Sequence, residues 1–280
     1  LGLDGLKVES LPATWVKEPI KHYHHITCEL SERITMGFGG VAEYGITARW
    51  DKNFLTLIYL SLARRGGFAI HGGVRFGGTL KVEDAWRLGF DHLALAVGAG
   101  LPQALNIPGS MAPGMRQAND FLMALHLTGA THKESLASLQ VKLPVVVIGG
   151  GLTGVDAATE AQAYYLVQIE RVWKRYHDLI QAWGEATVRA HFSNDELVTI
   201  DEQLDHARKW LKYKALGKDP LTLLQAWGGV TIVYRKRMQD SPAYQRNEAE
   251  LAAALEEGFI TLPSTPRCVC AWIMPNKCLD

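Results

Sequence analysis

The sequence lacks a surplus of charge of either sign, because its 29 Lys and Arg residues are balanced by 29 Asp and Glu residues. Without a global basic field, nucleic acid is not expected as a main partner. Hydrophobic residues make up 48% of the 280 residues and charged residues 21%, which predicts a packed globular core rather than a disordered chain. This length allows one large domain or two ordinary ones.

Long hydrophobic runs are missing as well. The longest strongly apolar stretch near the N-terminus covers residues 55–63, far short of the roughly 20 residues that a membrane-spanning helix needs. No signal-peptide pattern is visible, so no membrane partner is expected. The chain begins with Leu rather than Met, which we interpret as a sign that it is a piece of a longer protein.

Cysteine is scarce, and its four positions are Cys28, Cys268, Cys270 and Cys278. This density argues against a disulfide scaffold and favours a cytoplasmic protein with reduced thiols. The three tail cysteines lack the ligand number and spacing of a zinc site or an iron–sulfur cluster, so we predict no metal ligand. Because no C-x-x-C pair is present, disulfide chemistry of the thioredoxin-reductase kind is not supported.

Two other catalytic patterns are absent from the sequence. There is no G-x-S-x-G nucleophile elbow, and there is no phosphate loop of the GxxxxGK[ST] type. Neither serine-based hydrolysis nor P-loop nucleotide hydrolysis is therefore indicated.

A strand, a glycine-rich turn and a helix in direct succession form the strongest positive signal. Residues 144–148 (PVVVI) are a β-branched run typical of a buried strand. Residues 149–154 (GGGLTG) contain the pattern G-x-G-x-x-G, and the alanine-rich residues 155–165 favour a helix. This context predicts a dinucleotide-binding β-α unit, with a glycine-rich turn in an ordinary α/β protein as the alternative.

Each glycine of the pattern has a physical role in such a unit. Gly149 permits the tight turn, Gly151 lets the backbone approach a pyrophosphate, and Gly154 lets the helix pack closely on the strand. The helix N-terminus then offers amide groups and a partial positive charge to the phosphates. Asp156 lies in the first turn, where a favourable interaction with the helix dipole would explain it as well as a contact with the cofactor.

A second buried strand is predicted at residues 228–234, and Arg235, Lys236 and Arg237 follow it. In NAD-binding folds, an acidic residue about 20 positions after the glycines binds the ribose 2′-hydroxyl. Basic residues at the end of the second strand suit a 2′-phosphate instead, which favours NADPH over NADH. A solvated basic run is the alternative. Residues 166–227 then form a helical insertion.

Other elements are predicted from hydrophobic periodicity alone. Helices are expected at residues 51–65, 82–88, 116–127 and 246–257, and short strands at residues 68–71 and 92–97.

The order of these motifs resembles the small subunit of glutamate synthase and its relatives, which include the flavin-containing half of dihydropyrimidine dehydrogenase. The matching segments are residues 39–46 (GGVAEYGI), 96–99 (AVGA) with Pro102, 107–109 (IPG), 121–122 (FL), 145–156 (VVVIGGGLTGVD), 233–237 (VYRKR), 241–243 (SPA) and 256–258 (EEG). They span roughly residues 37–260, interrupted by the insertion.

The resemblance implies an α/β fold in which a Rossmann-like NAD(P)H-binding domain is combined with part of an FAD-binding domain and a helical insertion. NADPH would pass a hydride to FAD, and electrons would move onward, often to an iron–sulfur acceptor. The alternative is a non-catalytic nucleotide-binding or protein-interaction module, or a fragment without independent activity. The implied divisions are a lead segment at 1–36, a partial FAD-binding domain at 37–140, an NAD(P)H-binding domain at 141–263 with the insertion 166–227, and a tail at 264–280.

Carried over position by position, the resemblance places two sets of residues beside cofactors. The flavin set is Gly40, Tyr44, Gly45, Ile46, Gly98 and Ala99. The nicotinamide-nucleotide set is Gly149, Gly151, Thr153, Gly154 and Asp156, with Arg235 and Arg237 at the 2′-phosphate. No catalytic side chain is nominated, because the cofactors carry the chemistry of hydride transfer.

The sequence also departs from the family pattern. Val97 stands in place of Thr, and Leu152 in place of Asn. The N-terminal FAD fingerprint, the C-terminal Gly-Asp segment and the cluster-binding cysteines of the family have no counterpart here. The resemblance therefore implies an internal piece of a flavoprotein, whose partners are the missing FAD-binding segments or subunit and an iron–sulfur electron acceptor.

Overall fold

The structure is a computed structural model. It describes residues 33, 44–47, 52, 55–69, 71–97, 101–103, 105–137, 139–256, 258 and 260–263. Three residues of the predicted flavin set, Gly40, Gly98 and Ala99, lie outside the described residues, as do the four cysteines.

The described residues form a three-stranded sheet and a set of helices. The strands are β1 (Val145–Ile148), β2 (Val230–Tyr234) and β3 (Ile260–Pro263), and the α-helices are α1 (Leu55–Ala63), α2 (Val82–Arg87), α3 (Ala118–Leu127), α4 (Leu152–Trp183), α5 (Glu185–Ala190), α6 (Asn194–Ala215), α7 (Leu221–Ala226), α8 (Pro242–Arg246) and α9 (Glu248–Glu256). Within these residues, no helix combines the length and apolar character needed to cross a membrane.

The sheet is parallel, in the order β1-β2-β3. Val145 pairs with Val230, and Thr231 pairs with Ile260. The central strand β2 is buried from residue 230 to 233, as expected for a parallel strand covered on both faces. Because parallel strands share one direction, the carboxyl ends of β1 and β2 meet at one edge of the sheet.

Most of the predicted elements are confirmed, with their ends shifted by a few residues. This applies to both principal strands and to the helices expected near α1, α2, α3 and α9. The short strands expected at residues 68–71 and 92–97 are wrong, since their described residues lie in no strand. A short apolar run satisfies its backbone groups as a strand only where a partner strand lies alongside.

Helix α4 differs from the prediction because it runs unbroken for 32 residues. The insertion was expected to begin at residue 166, but that position lies inside the helix. No Gly or Pro occurs between residues 155 and 183, so nothing in the sequence stops the helix before Gly184, which has a φ of +80°. The insertion is thus an extension of the helix that follows the glycine turn.

The second arm of the insertion is α6, which packs along α4. Its start is fixed by a capping box, in which Ser193 Oγ accepts from the Glu196 amide at 3.3 Å and the Glu196 carboxylate accepts from the Ser193 amide at 2.8 Å. Two tryptophans of the insertion have different surroundings, since Trp210 is buried in the core whereas Trp183 is 63% exposed.

The main core lies between the sheet and the first half of α4. Ala158 and Ala161 on α4 are buried in the same cluster as Val230 and Ile232 of β2. These small side chains let the helix approach the sheet closely. The N-terminus of α4 is thereby held at the edge where β1 and β2 end.

Candidate functional site

The turn between β1 and α4 has the backbone geometry that its first glycine was expected to allow. Gly149 has a φ of +133°, a conformation that residues with a side chain rarely adopt. Its amide donates to the Val233 carbonyl of β2 at 3.0 Å. The turn is therefore fixed to the neighbouring strand as soon as β1 ends.

The other two glycines of the pattern face different surroundings. A methyl group on Gly154 would lie 3.1 Å from the Gly149 carbonyl oxygen and 3.6 Å from Val147 Cγ1, so the absence of a side chain allows the close approach of helix and turn. A methyl group on Gly151 would meet none of the described residues within 4 Å. Gly151 precedes α4 in an extended conformation, with open space beside the first turn of the helix.

The first turn of α4 also carries the next predicted residue, Thr153, which is exposed. The amides of Gly154 and Val155 both donate to the Gly151 carbonyl, at 3.0 and 3.1 Å. The amides of Leu152 and Thr153 come before these two, at the start of the helix, where an amide has no acceptor within the helix. Together with the helix dipole, they favour an anion in the space beside Gly151.

Gly150 is a part of this turn that sequence reasoning missed. A methyl group there would lie 2.8 Å from the Tyr234 ring and 3.0 Å from Ser241 Cβ. The Gly150 carbonyl accepts from the Ala243 amide of α8 at 3.0 Å. The available signal was the middle glycine in the run of three, at a position where the G-x-G-x-x-G pattern does not require glycine.

The basic residues after β2 leave the sheet at the same edge as the glycine turn, and all three are exposed. Arg237 is held by Asp240, with Nε to Oδ2 at 3.0 Å and Nη2 to Oδ1 at 3.2 Å. Arg235 and Lys236 form no ion pair with the described residues. Asp240 was not among the predicted site residues. A bound phosphate would have to share Arg237 with its carboxylate.

The structure also brings the described part of the predicted flavin set, Tyr44, Gly45 and Ile46, against α4 beside Asp156. Within residues 44–47, Ile46 is completely buried and Tyr44 is 41% exposed. A methyl group on Gly45 would lie 2.9 Å from Glu160 Oε1 and 3.0 Å from Asp156 Oδ1. Segment 44–47 therefore lies directly on α4, one turn beyond the glycine loop.

Glu160 anchors this contact, although it was not predicted. Its Oε1 accepts from the Ile46 amide, from the Thr47 amide at 2.8 Å and from Thr47 Oγ1 at 3.1 Å. Complete burial raises the pKa of Glu160 to about 7, although these hydrogen bonds oppose the rise and the Asp156 charge adds to it. The spacing of Asp156 and Glu160 was the available signal, because residues i and i+4 share one face of a helix.

Two further buried ionisable groups belong to this region: Lys52 interacts with both carboxylates, and His126 interacts with Lys52. Lys52 is 1% exposed, and burial lowers its pKa to about 8 against the opposing charges of Glu160 and Asp156. His126 of α3 is completely buried, and neither ring nitrogen has a hydrogen-bond partner among the described residues. Burial and the Lys52 charge lower the pKa of His126 to about 3, so the ring is neutral. No sequence pattern marked either residue.

Comparison with known proteins agrees with this architecture. Residues 55–199 match the pyridine nucleotide-disulphide oxidoreductase family. An uncharacterized protein of Rickettsia prowazekii (strain Madrid E) is 40% identical over 256 residues, which cover 91% of this chain and 34% of that protein. The chain thus spans about a third of the length of this relative. No solved structure matches the chain.

The family match covers about half of the chain and includes β1, the glycine turn and all of α4. It implies a Rossmann-like α/β nucleotide-binding fold, and the family's members are oxidoreductases that typically bind FAD and NAD(P)H. The chain belongs to the pyridine nucleotide-disulphide oxidoreductase family.

Proposed function

We propose that this chain is the nicotinamide-nucleotide-binding part of a flavoprotein oxidoreductase of the glutamate synthase small-subunit type, in which NADPH reduces FAD and electrons pass onward. The observation that carries the proposal is the space beside Gly151 at the N-terminus of α4, where a methyl group would meet nothing within 4 Å in the part of the chain that the structure describes. A pyrophosphate requires such an approach to backbone.

The residues present fit a dinucleotide. Gly149 turns the chain and Gly154 lets the helix begin close to the strand. The amides of Leu152 and Thr153, which precede the bonded amides of Gly154 and Val155, are the ones we expect to meet phosphate oxygens. The bound nicotinamide supplies a hydride and the flavin accepts it. The task of this chain is therefore to hold and orient the nucleotide.

The basic residues after β2 support a preference for NADPH. Arg235 and Arg237 lie at the edge of the sheet where the ribose of a Rossmann-bound nucleotide is read. A guanidinium group pairs well with a phosphate. Because Asp240 already holds Arg237, Arg235 is the residue from which we expect the larger contribution to discrimination.

We assign segment 44–47 to the flavin side of the site. This segment touches α4 beside Asp156. This contact supports a flavin close to the nucleotide site, with Tyr44, Gly45 and Ile46 on its side. Gly40, Gly98 and Ala99 remain proposals from the resemblance. The chain spans a third of its relative, so we propose that other segments or a subunit complete the flavin site and that an iron–sulfur acceptor receives the electrons.

Titration of the protein with NADPH and NADH, followed by tryptophan fluorescence and calorimetry, tests the proposal. We expect saturable binding that favours NADPH. Gly151→Val should abolish it while leaving the far-ultraviolet circular dichroism unchanged, because a side chain there fills only the open space.

Gly66→Val is the matched control, since an added methyl group on Gly66 would likewise meet no described residue within 4 Å and Gly66 belongs to no predicted site. This variant should bind NADPH as the unchanged protein does. A folded protein that binds neither nucleotide would refute the proposal and favour the non-catalytic module.

A further inference from the structure

Glu160 binds a part of the chain that is distant in sequence, since Ile46 and Thr47 precede it by 114 and 113 residues. One of its carboxylate oxygens accepts three hydrogen bonds, from the amides of Ile46 and Thr47 and from the Thr47 hydroxyl. The three donors belong to adjacent residues, so the carboxylate holds a short stretch of backbone rather than a single side chain.

The same stretch is held against α4 by close packing. Gly45 lies so near Asp156 and Glu160 that a methyl group would be at 3.0 and 2.9 Å from their carboxylate oxygens. The Arg33 guanidinium donates to the carbonyls of Ile46 and Thr47, the latter at 3.1 Å. Both the amide and the carbonyl side of this backbone are thus engaged by charged groups.

The stabilising contacts on Glu160 involve only one of its oxygens. Oε2 is buried and has no hydrogen-bond partner among the described residues. Burying a carboxylate in this way is unfavourable unless its charge is balanced. The buried Lys52 ammonium supplies an opposite charge, and it interacts with both Glu160 and Asp156. The cost of burial indicates that the contact serves the arrangement of the site and not only the stability of the fold.

We propose that Glu160 is a positioning residue that fixes residues 45–47 on α4, so that the flavin-side segment and the nucleotide-binding helix keep one relative placement. This inference rests on the proposed function. Glu160 lies two turns along the helix from Leu152, where the phosphates are expected. A displacement of residues 45–47 would change the distance between flavin and nicotinamide without removing any contact to the nucleotide.

A second clamp on the same helix provides a matched control. Gln168 donates to the Val141 carbonyl and accepts from the Val141 amide, both at 2.8 Å. It is buried like Glu160 and also ties α4 to a distant backbone segment. It lies eight residues further along α4, about 12 Å at 1.5 Å per residue, and it does not touch residues 44–47.

Hydrogen–deuterium exchange on the full-length protein tests the clamp without any cofactor. In Glu160→Ala, exchange at the amides of Ile46 and Thr47 should rise about 10- to 100-fold, the range for loss of a hydrogen bond to a charged group. Glu160→Asp should do the same because its carboxylate is one methylene shorter. Glu160→Gln should retain protection, since the amide oxygen still accepts, and Gln168→Ala should affect only Val141.

Rapid-mixing reduction of the flavin-loaded protein by NADPH tests the positioning role. Glu160→Ala and Glu160→Asp should lower the rate constant of flavin reduction by about 10- to 100-fold, as misplacement by about 1 Å does, with the Kd of NADPH changed less than about threefold. Gln168→Ala should change neither value.

Two results would overturn the inference, and each differs from failure of the proposed function. Unchanged exchange at Ile46 and Thr47 in both Glu160→Ala and Glu160→Asp would remove the clamp. Faster exchange with an unchanged rate of flavin reduction would remove the positioning role. If the unchanged protein neither binds NADPH nor reduces flavin, the proposed function fails and the positioning role fails with it, while the exchange data still decide whether the clamp exists.

Discussion

His126 gives the folded protein a sensitivity to acid that can be measured on its own. Its pKa is lowered from 6.5 to about 3 by burial and by the Lys52 charge. Between these values the unfolded chain binds a proton that the folded protein does not. The contribution of His126 to the free energy of unfolding should therefore fall as the pH drops below 6.5, and this loss should be complete near pH 3.

The magnitude follows from the size of the pKa difference. One unit corresponds to about 1.4 kcal/mol, so His126 should destabilise the protein by about 2 kcal/mol at pH 5 relative to pH 7. Glu160 acts in the opposite direction, because its pKa is raised from 4.5 to about 7 and the folded state gains a proton over that range. The two effects should nearly cancel between pH 4.5 and 6.5.

Urea denaturation of three proteins at pH 5 and 7 separates these contributions. Relative to the unchanged protein, we expect the free energy of unfolding of His126→Leu to rise by about 2 kcal/mol on going from pH 7 to pH 5. This variant also removes two buried nitrogens that have no hydrogen-bond partner among the described residues. Relative to the unchanged protein, the free energy of unfolding of Glu160→Gln should fall by about 2 kcal/mol over the same step, because this side chain cannot take up the proton. If the free energies of unfolding of His126→Leu and the unchanged protein differ by the same amount at pH 5 and pH 7, the reasoning is refuted.

Three further changes have expected outcomes. Gly150→Ala should lower the free energy of unfolding by about 1–3 kcal/mol in urea denaturation, because the added methyl group would contact the Tyr234 ring; stability equal to that of the unchanged protein would contradict this packing. Arg235→Ala should weaken NADPH binding about tenfold in calorimetry with little change for NADH, and equal losses for both would argue against 2′-phosphate recognition. Ser193→Ala should cost about 1 kcal/mol, measured by thermal unfolding, through loss of the cap of α6; an unchanged melting temperature would count against that cap.

Local pattern was enough to predict the nucleotide-binding unit. The β-branched run at β1, the glycines that follow and the alanine-rich start of α4 are consecutive in sequence, so their geometry depends on neighbours only a few residues away. The same holds for β2, whose buried run could be recognised without knowing its partners. β3 was missed because it is short and depends on pairing with β2.

The rest of the candidate site was decided by contacts between distant segments. The placement of residues 44–47 on α4 joins positions more than 100 residues apart, and no spacing rule connects them. The burial of Lys52, His126 and Glu160 followed from the same packing. Sequence determined which residues could form the glycine turn, because backbone conformation is local; tertiary structure alone decided which charges lie beside it, because burial and electrostatic interaction depend on distance in space.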